Sequence, residues 1–369
     1  MTCASAPPGP VRRYIFRRSA SRKARSMTMR ALEVVADRHS FAVAEQPVPD
    51  PGPGQLRVKV EYCGICGSDL HMLAEFPTSG ATFGHEFVGI IDALGPGVDQ
   101  FSTGERVTAV PALGCGHCVW CVSGEPSHCA QFSVIGAPSG GAFAEYVIVQ
   151  ALFTVRVPEG VSPRAAAVTE PLAVGLRAVE ASNLVPGDDV VVFGAGPIGI
   201  AIAIWLRQQG VGRILVSDPV ASRRRLALEF GATAVVDPLN ETLAASAQAL
   251  FGGLPSVVIE AAGRPGMLAS AIDLVAPHGR IVLAGMHSAD EVFQRIPAMI
   301  KEPVVQFPQF STVAGFQHTL RILARGDFDA EKLVTHVVDF GSAGEFAHRL
   351  LQPNDFGKVL VDPSKKEAK

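Results

Sequence analysis

The sequence predicts an α/β chain of two domains, one β-rich and one built on a doubly wound parallel sheet that binds a nucleotide. Three observations carry this expectation. Gly194-Ala-Gly196-Pro197-Ile198-Gly199 fits G-x-G-x-x-G between a buried strand and an apolar helix. Strand-like and helix-like stretches alternate from Pro171 to about residue 309. Four cysteines crowd into a short window of the preceding region, which reads as short strands broken by Gly and Pro.

At 369 residues the chain exceeds one ordinary core. It is 48% apolar and 18% charged, so it has the material for large cores. A net charge of -3 argues against a nucleic-acid or anionic-membrane partner. No apolar run reaches the ~18 residues of a membrane span. The richest stretch, Val190 to Leu206, is broken by Gly194, Gly196, Pro197 and Gly199. The aromatic content of 7% does not choose between polar and apolar substrates.

Residues 1–28 are set apart from the fold. Arg12, Arg13, Arg17, Arg18, Arg22, Lys23 and Arg25 alternate with serines, and the first acid is Glu33. An organelle-targeting segment and an upstream extension, with the natural start at Met27 or Met29, both fit. The extension is preferred, because regular strand patterning begins at Met29-Arg-Ala-Leu-Glu-Val-Val.

From Met29 to Glu170 the chain reads as β-rich. Gln55-Leu-Arg-Val-Lys-Val alternates with the period of a half-buried strand. Pro49-Asp-Pro-Gly-Pro-Gly and Leu94-Gly-Pro-Gly are turn signals. Beyond Pro171, Asp189-Val-Val-Val-Phe is a buried strand and Pro197–Gln209 an apolar helix. Arg213-Ile-Leu-Val-Ser is the next strand, and Ser222–Phe230 a helix stopped by Gly231. Strands at Ala234-Val-Val, Ser256-Val-Val-Ile-Glu and Arg280-Ile-Val-Leu-Ala follow. The alternation ends near Glu302–Phe310, and the last sixty or so residues have spacing that allows a return to the first domain.

In the glycine motif, Gly194 permits a tight turn, Gly196 admits a pyrophosphate to the backbone, and Gly199 lets helix pack on strand. Pro197 and Ile198 open a helix whose free N–H groups and positive dipole end face the phosphates. Asp218 ends the second strand, placed to accept from the adenosine ribose 2′-hydroxyl and to repel a 2′-phosphate. NAD is therefore expected over NADP. Arg223, followed by Arg224 and Arg225, is placed to pack on adenine or serve a phosphate.

Seven cysteines, an odd count with a tight cluster, read as metal ligation in a reducing compartment, and a cytoplasmic protein is expected. Cys115-x2-Cys118-x2-Cys121-x7-Cys129, in a lobe spanning 112–130, offers four thiolates to a tetrahedral zinc closed to substrate. An iron–sulfur cluster and a nucleic-acid zinc knuckle compete; the absence of a basic patch with stacking aromatics disfavours the knuckle. His117 and His128 are expected to be exposed rather than ligating. A second, dispersed set comprises Cys66-Gly-Ser68-Asp69-Leu-His71, Gly84-His85-Glu86 and Glu170-Pro171. Thiolate, imidazole and carboxylate together suit an open zinc site. Each residue has an ordinary alternative: a buried small thiol, a core histidine, a helix-start acid. Spacing alone does not decide between them.

Gly84-His85-Glu86-x2-Gly89-x5-Gly95-x2-Val98 decides it by resemblance. With the cysteine lobe and the glycine motif in the same order, the chain resembles the zinc-containing medium-chain dehydrogenase/reductases, in their sorbitol and threonine dehydrogenase-like branch. The resemblance runs from Met29 to Pro363 and implies a GroES-like catalytic domain, residues 29–170 and 310–369, and a Rossmann domain, 171–309. It implies two zincs per subunit and an active site between the domains. Cys66 and His85 match zinc ligands, while Glu86 and Glu170 share the remaining coordination, unranked. Zinc would act as a Lewis acid on the alcohol oxygen so that an alkoxide forms, and the carbinol carbon would pass hydride to NAD. Ser68 would take the proton and His71 release it by way of the cofactor ribose. Asp69 would orient neighbours, and Cys63 would be packing. The implied substrate is a secondary alcohol or its ketone, of polyol, diol or amino-alcohol type, handled by a homodimer or homotetramer. A zinc-free quinone or enoyl reductase of the same superfamily, which lacks the Cys66/His85 pair, and a non-catalytic nucleotide-binding protein are the alternatives.

Overall fold

The computed structural model describes residues 27–36, 39–136, 140–352 and 354–365. Residues 1–26 of the expected extension, with Cys3, lie outside the described residues. The first strand, Thr28–Val35, pairs antiparallel with Ser40–Pro47.

Six parallel strands form the nucleotide-side sheet. Their order is Ala234–Val236, Arg213–Ser217, Asp189–Phe193, Val257–Glu260, Arg280–Leu283 and Val304–Gln306. The chain reverses direction of growth between Asp189–Phe193 and Val257–Glu260, so a crevice opens at their carboxyl ends. Val190, Val191, Val192, Val257, Val258 and Ile259 are buried, as strands covered on both faces require. The sixth strand, Val304–Gln306, falls where the sequence suggests the alternation has already ended. Three residues with exposed ends show no periodicity for a sequence reading to detect.

The second sheet has seven strands. Its path runs Val334–Val338, Lys358–Val361, Gln55–Gly64, Glu86–Leu94, Arg106–Ala109 and Thr154–Arg156, with Tyr146–Gln150 also paired to Gln55–Gly64. Two of these strands come from the last forty residues or so, and they flank Gln55–Gly64 on the side away from Glu86–Leu94. The domain also contains helix Gly67–Glu75, stopped at Phe76.

Helix Thr169–Ala181 joins the two halves. Its Gly175 lies so close to the nucleotide-side helix Pro197–Gln208 that a methyl group there would sit 2.6 Å from the Ala201 side chain. Trp205, buried on that second helix, donates its indole N–H to the Leu172 carbonyl at 2.7 Å. One apolar cluster runs from Val190 and Ile200 through Leu172 to Val88 and Leu360, and so crosses from one half to the other. Shared apolar burial of this kind fixes the cleft geometry.

Candidate active site and metal centres

Sheet register gathers the second set of residues. Gly64 is paired with Glu86 across antiparallel strands, and Leu360 with Gly64 on the other side. Three stretches far apart in sequence therefore end at one corner of the sheet: Cys66, His85–Glu86 and Lys358. Gly64 has no room for a side chain, since a Cβ there would lie 2.1 Å from Glu86 Oε2. Glu170 enters from the first turn of helix Thr169–Ala181.

Cys66 caps helix Gly67–Glu75, its sulfur accepting from the Ser68 N–H at 3.5 Å. Asp69, three residues on, reaches back to accept from the Cys66 N–H at 3.1 Å. The same carboxylate accepts from the Gly84 N–H at 3.3 Å and lies 3.3 Å from His85 Nδ1. A capping box thus doubles as a brace that turns His85 Nε2 inward, where it lies 3.4 Å from Ser68 Oγ. Donor atoms of Cys66, His85 and Glu86 all lie within 4.8 Å of one another, and Glu170 is not in that compact trio.

The charges explain what the trio would hold. Burial pushes the His85 imidazole down, but the Asp69 carboxylate and the Cys66 thiolate hold it well above its ordinary 6.5. The pocket therefore favours positive charge at this point. Glu170, buried, is pushed up to about 7 by desolvation, moderated by His85 and Lys358 and reinforced by Glu86 and Asp69. It has no hydrogen-bond partner among the described residues. Glu86 is fully buried and faces the buried ammonium of Lys358, 2.7 Å from one carboxylate oxygen and 2.6 Å from the other. Lys358 Nζ also donates to the Ile65 carbonyl at 3.2 Å. A soft thiolate, an oriented imidazole and buried carboxylates fit a divalent zinc ion with an open position.

The cysteine lobe fits a second ion. The sulfurs of Cys115, Cys118, Cys121 and Cys129 lie within 4.8 Å of one another, and Cys115 and Cys121 are 3.9 Å apart. Tetrahedral zinc with ~2.3 Å bonds sets sulfurs about 3.8 Å apart. Backbone N–H groups of His117 and Cys118 draw the Cys115 thiol down to about 6, whereas burial pushes Cys121 up to about 12. His117 and His128 are exposed, and Cys63 is buried among apolar side chains.

At the glycine motif, each glycine has its own reason. Gly194 adopts φ +92° against the Ala261 backbone. A Cβ on Gly199 would lie 1.9 Å from the Gly194 carbonyl oxygen. Gly196 meets nothing within 4 Å, and it caps helix Pro197–Gln208 with no side chain covering the free N–H groups. Asp218, buried at the end of Arg213–Ser217, accepts from the Ala195 N–H at 2.8 Å and the Val220 N–H at 2.7 Å. Each carboxylate oxygen keeps a lone pair for a ribose hydroxyl. Arg223 donates to Asn354 Oδ1 at 3.0 Å. It lines a cavity of about 170 Å³ with Gly196, Pro197, Thr335 and Lys358. Lys358 therefore borders both this cavity and the Glu86 carboxylate.

Two family models match the chain: the alcohol dehydrogenase GroES-like domain over residues 52–159, and the zinc-binding dehydrogenase over 197–325. A sorbitol dehydrogenase of Halalkalibacterium halodurans is 33% identical over 88% of this chain and 96% of its own. The chain belongs to the zinc-containing alcohol dehydrogenase superfamily. Among solved structures, the alcohol dehydrogenase RspB from Escherichia coli CFT073, complexed with NADH, is 32% identical with a TM-score of 0.82, over 91% of this chain and 99% of that one. A zinc-binding dehydrogenase from Sinorhizobium meliloti 1021, bound to NADP, is 31% identical with a TM-score of 0.81, over 91% of this chain and all of that one.

Within this superfamily member, Ser68 and His71 share one helix but are not bonded to each other among the described residues. Ser68 faces His85. His71 is nearly half exposed, with Nδ1 3.9 Å from Glu75 Oε1 at the helix end. Two residues that shape the site, Lys358 and Gly64, escape a reading of the sequence because nothing local marks them. Lys358 opens an apolar strand 272 residues from its partner Glu86. No helix among the described residues is long and apolar enough to cross a membrane.

Proposed function

We propose that this chain is an NAD-dependent zinc dehydrogenase that oxidises a secondary alcohol of polyol, diol or amino-alcohol type, or reduces the matching ketone. The observation that carries the reading is the convergence of Cys66, His85 and the buried Glu86 beside a buried acid, Glu170, that has no hydrogen-bond partner among the described residues. Cys66 and His85 are the zinc ligands in this reading. Glu170 supplies a further oxygen, and Glu86, committed to Lys358, supports the site from behind. Zinc in such a site supplies Lewis acidity that lowers the pKa of an alcohol oxygen, and NAD supplies the hydride acceptor. Cys115, Cys118, Cys121 and Cys129 hold a second, structural zinc.

The chain's own residues do the rest. Asp69 fixes the imidazole through Nδ1. Ser68 Oγ, beside His85 Nε2, takes the alcohol proton. His71, three residues along the same helix face and nearly half exposed, releases the proton to solvent. Gly196 and the start of helix Pro197–Gln208 bind the pyrophosphate, and Asp218 the adenosine ribose. Buried apolar residues on both sides of helix Thr169–Ala181 exclude water from the cleft.

A homodimer or homotetramer in the cytoplasm completes the proposal. Exposed Val292, Ile296, Ile300, Val304 and Phe307 along the outer edge of the parallel sheet support self-association. The test is metal analysis with a screen of polyols, amino alcohols and alkyl or aryl secondary alcohols with NAD. Two zincs per chain are expected, and Cys66→Ala should lose one zinc and all turnover. Full turnover in Cys66→Ala refutes the reading.

A further inference from the structure

Three consecutive arginines, Arg223, Arg224 and Arg225, follow Asp218. Arginines so placed are what a 2′-phosphate needs. Solved relatives carry NADH in one case and NADP in another, so the fold alone does not choose between them. Where each arginine goes in this chain is therefore informative. Arg223 is bonded to Asn354 beside the phosphate loop. Arg225 is exposed. Arg224 is tied down at two points. It donates to the Asp218 backbone carbonyl at 2.7 Å, and its other terminal nitrogen lies 3.1 Å from Asp237 Oδ2. Both side chains of this pair are more than four-fifths buried.

Asp237 follows the edge strand Ala234–Val236 directly, as Asp218 follows Arg213–Ser217. The two strands are parallel neighbours with Ser217 opposite Val236, and the Asp218 N–H donates to the Val236 carbonyl at 3.2 Å. Two carboxylates therefore stand side by side at the carboxyl ends of adjacent strands, where the adenosine half of a dinucleotide lies. Asp237 is itself built in: it accepts from the Leu239 N–H at 3.1 Å and from the Asn240 amide at 3.2 Å.

The geometry points to Asp237 as a second determinant of cofactor choice. It withholds Arg224 from a 2′-phosphate and places a second negative charge next to Asp218. Asp218 offers the ribose its acceptor, and Asp237 removes the cation that would make a phosphate tolerable. The inference rests on the NAD reading above and adds a residue to it.

The test uses the full chain and fluorescence titration with NADH and NADPH, which needs no substrate. Where a substrate is known, the ratio of kcat/KM for the two cofactors is measured as well. Asp237→Asn keeps the acceptor for Leu239 and removes the charge. It should tighten NADPH binding relative to NADH by roughly tenfold, with the gain fading as salt is raised. Asp237→Asn/Arg224→Gln should lose that gain, because the freed guanidinium is what captures the phosphate. Melting curves confirm that both variants are folded. A wild-type chain that prefers NADH, with an unmoved ratio in Asp237→Asn, overturns the role of Asp237 alone. A gain that survives in the double variant overturns the capture by Arg224. A wild-type chain that prefers NADPH overturns the NAD reading and this inference together.

Discussion

Replacing Lys358 by methionine should destabilise the protein far more than loss of an ordinary lysine. Lys358 is 4% exposed and Glu86 is fully buried, with the ammonium 2.6 and 2.7 Å from the two carboxylate oxygens. Methionine fills the stem but leaves Glu86 as an uncompensated charge and the Ile65 carbonyl without its donor. Breaking a buried pair from one side costs about 3–5 kcal/mol, whereas exposed pairs contribute below about 1 kcal/mol. The melting temperature should fall by on the order of 10 °C. Burial pulls the Lys358 pKa down, but the facing Glu86 carboxylate and Cys66 thiolate raise it above 10.5. A folded value above the unfolded one means that the pair's contribution is present below that range and lost only as pH rises through it. The penalty should therefore be the same at neutral pH and at mildly alkaline pH. Melting of Lys358→Met, Glu86→Gln and the double variant measures the coupling. The double variant should recover at least half of the loss, because neither charge is then stranded. A single-variant loss below about 1 kcal/mol, or a double variant as unstable as the sum of the singles, refutes the reasoning.

Two further outcomes follow from the same corner of the sheet. Gly64→Ala places a methyl group 2.1 Å from Glu86 Oε2, so metal analysis should show the catalytic-site zinc lost and the cysteine-lobe zinc kept, with a stability cost of about 1–3 kcal/mol. Asp69→Asn removes the charge that braces His85, and chelator competition should show zinc held about 10–100-fold more weakly at that site while the lobe is unaffected.

What could be seen in the sequence was local. The strand Asp189–Phe193, the glycine turn and helix Pro197–Gln208 form one continuous stretch, and Gly194 and Gly199 announce backbone needs that the fold displays. The four cysteines lie within one short lobe, so spacing nearly determines their convergence. The dispersed site is different. Residue type alone made Cys66 and His85 candidates, but only the match to Gly84-His85-Glu86 and its trailing glycines set them above their ordinary alternatives. Nothing in the residues around Glu86 says that a lysine near the C-terminus will neutralise it, because that contact depends on strand order. The tie between Asp69 and His85 was half visible: an acid three residues after a cap is a known pattern, but its second duty toward an imidazole 16 residues on is not. The short strand Val304–Gln306 failed to register for a simpler reason, since three residues carry no period.

The pairing of Lys358 with Glu86 spans 272 residues, and this bears on the order of assembly during synthesis. The cysteine lobe closes within a segment that leaves the ribosome as one piece, so it is complete while most of the chain is still unmade. The other centre waits for nearly the last strand. A nascent chain halted before residue 358 carries a buried acid with no cation to meet it, and only the finished polypeptide can balance that corner of the sheet.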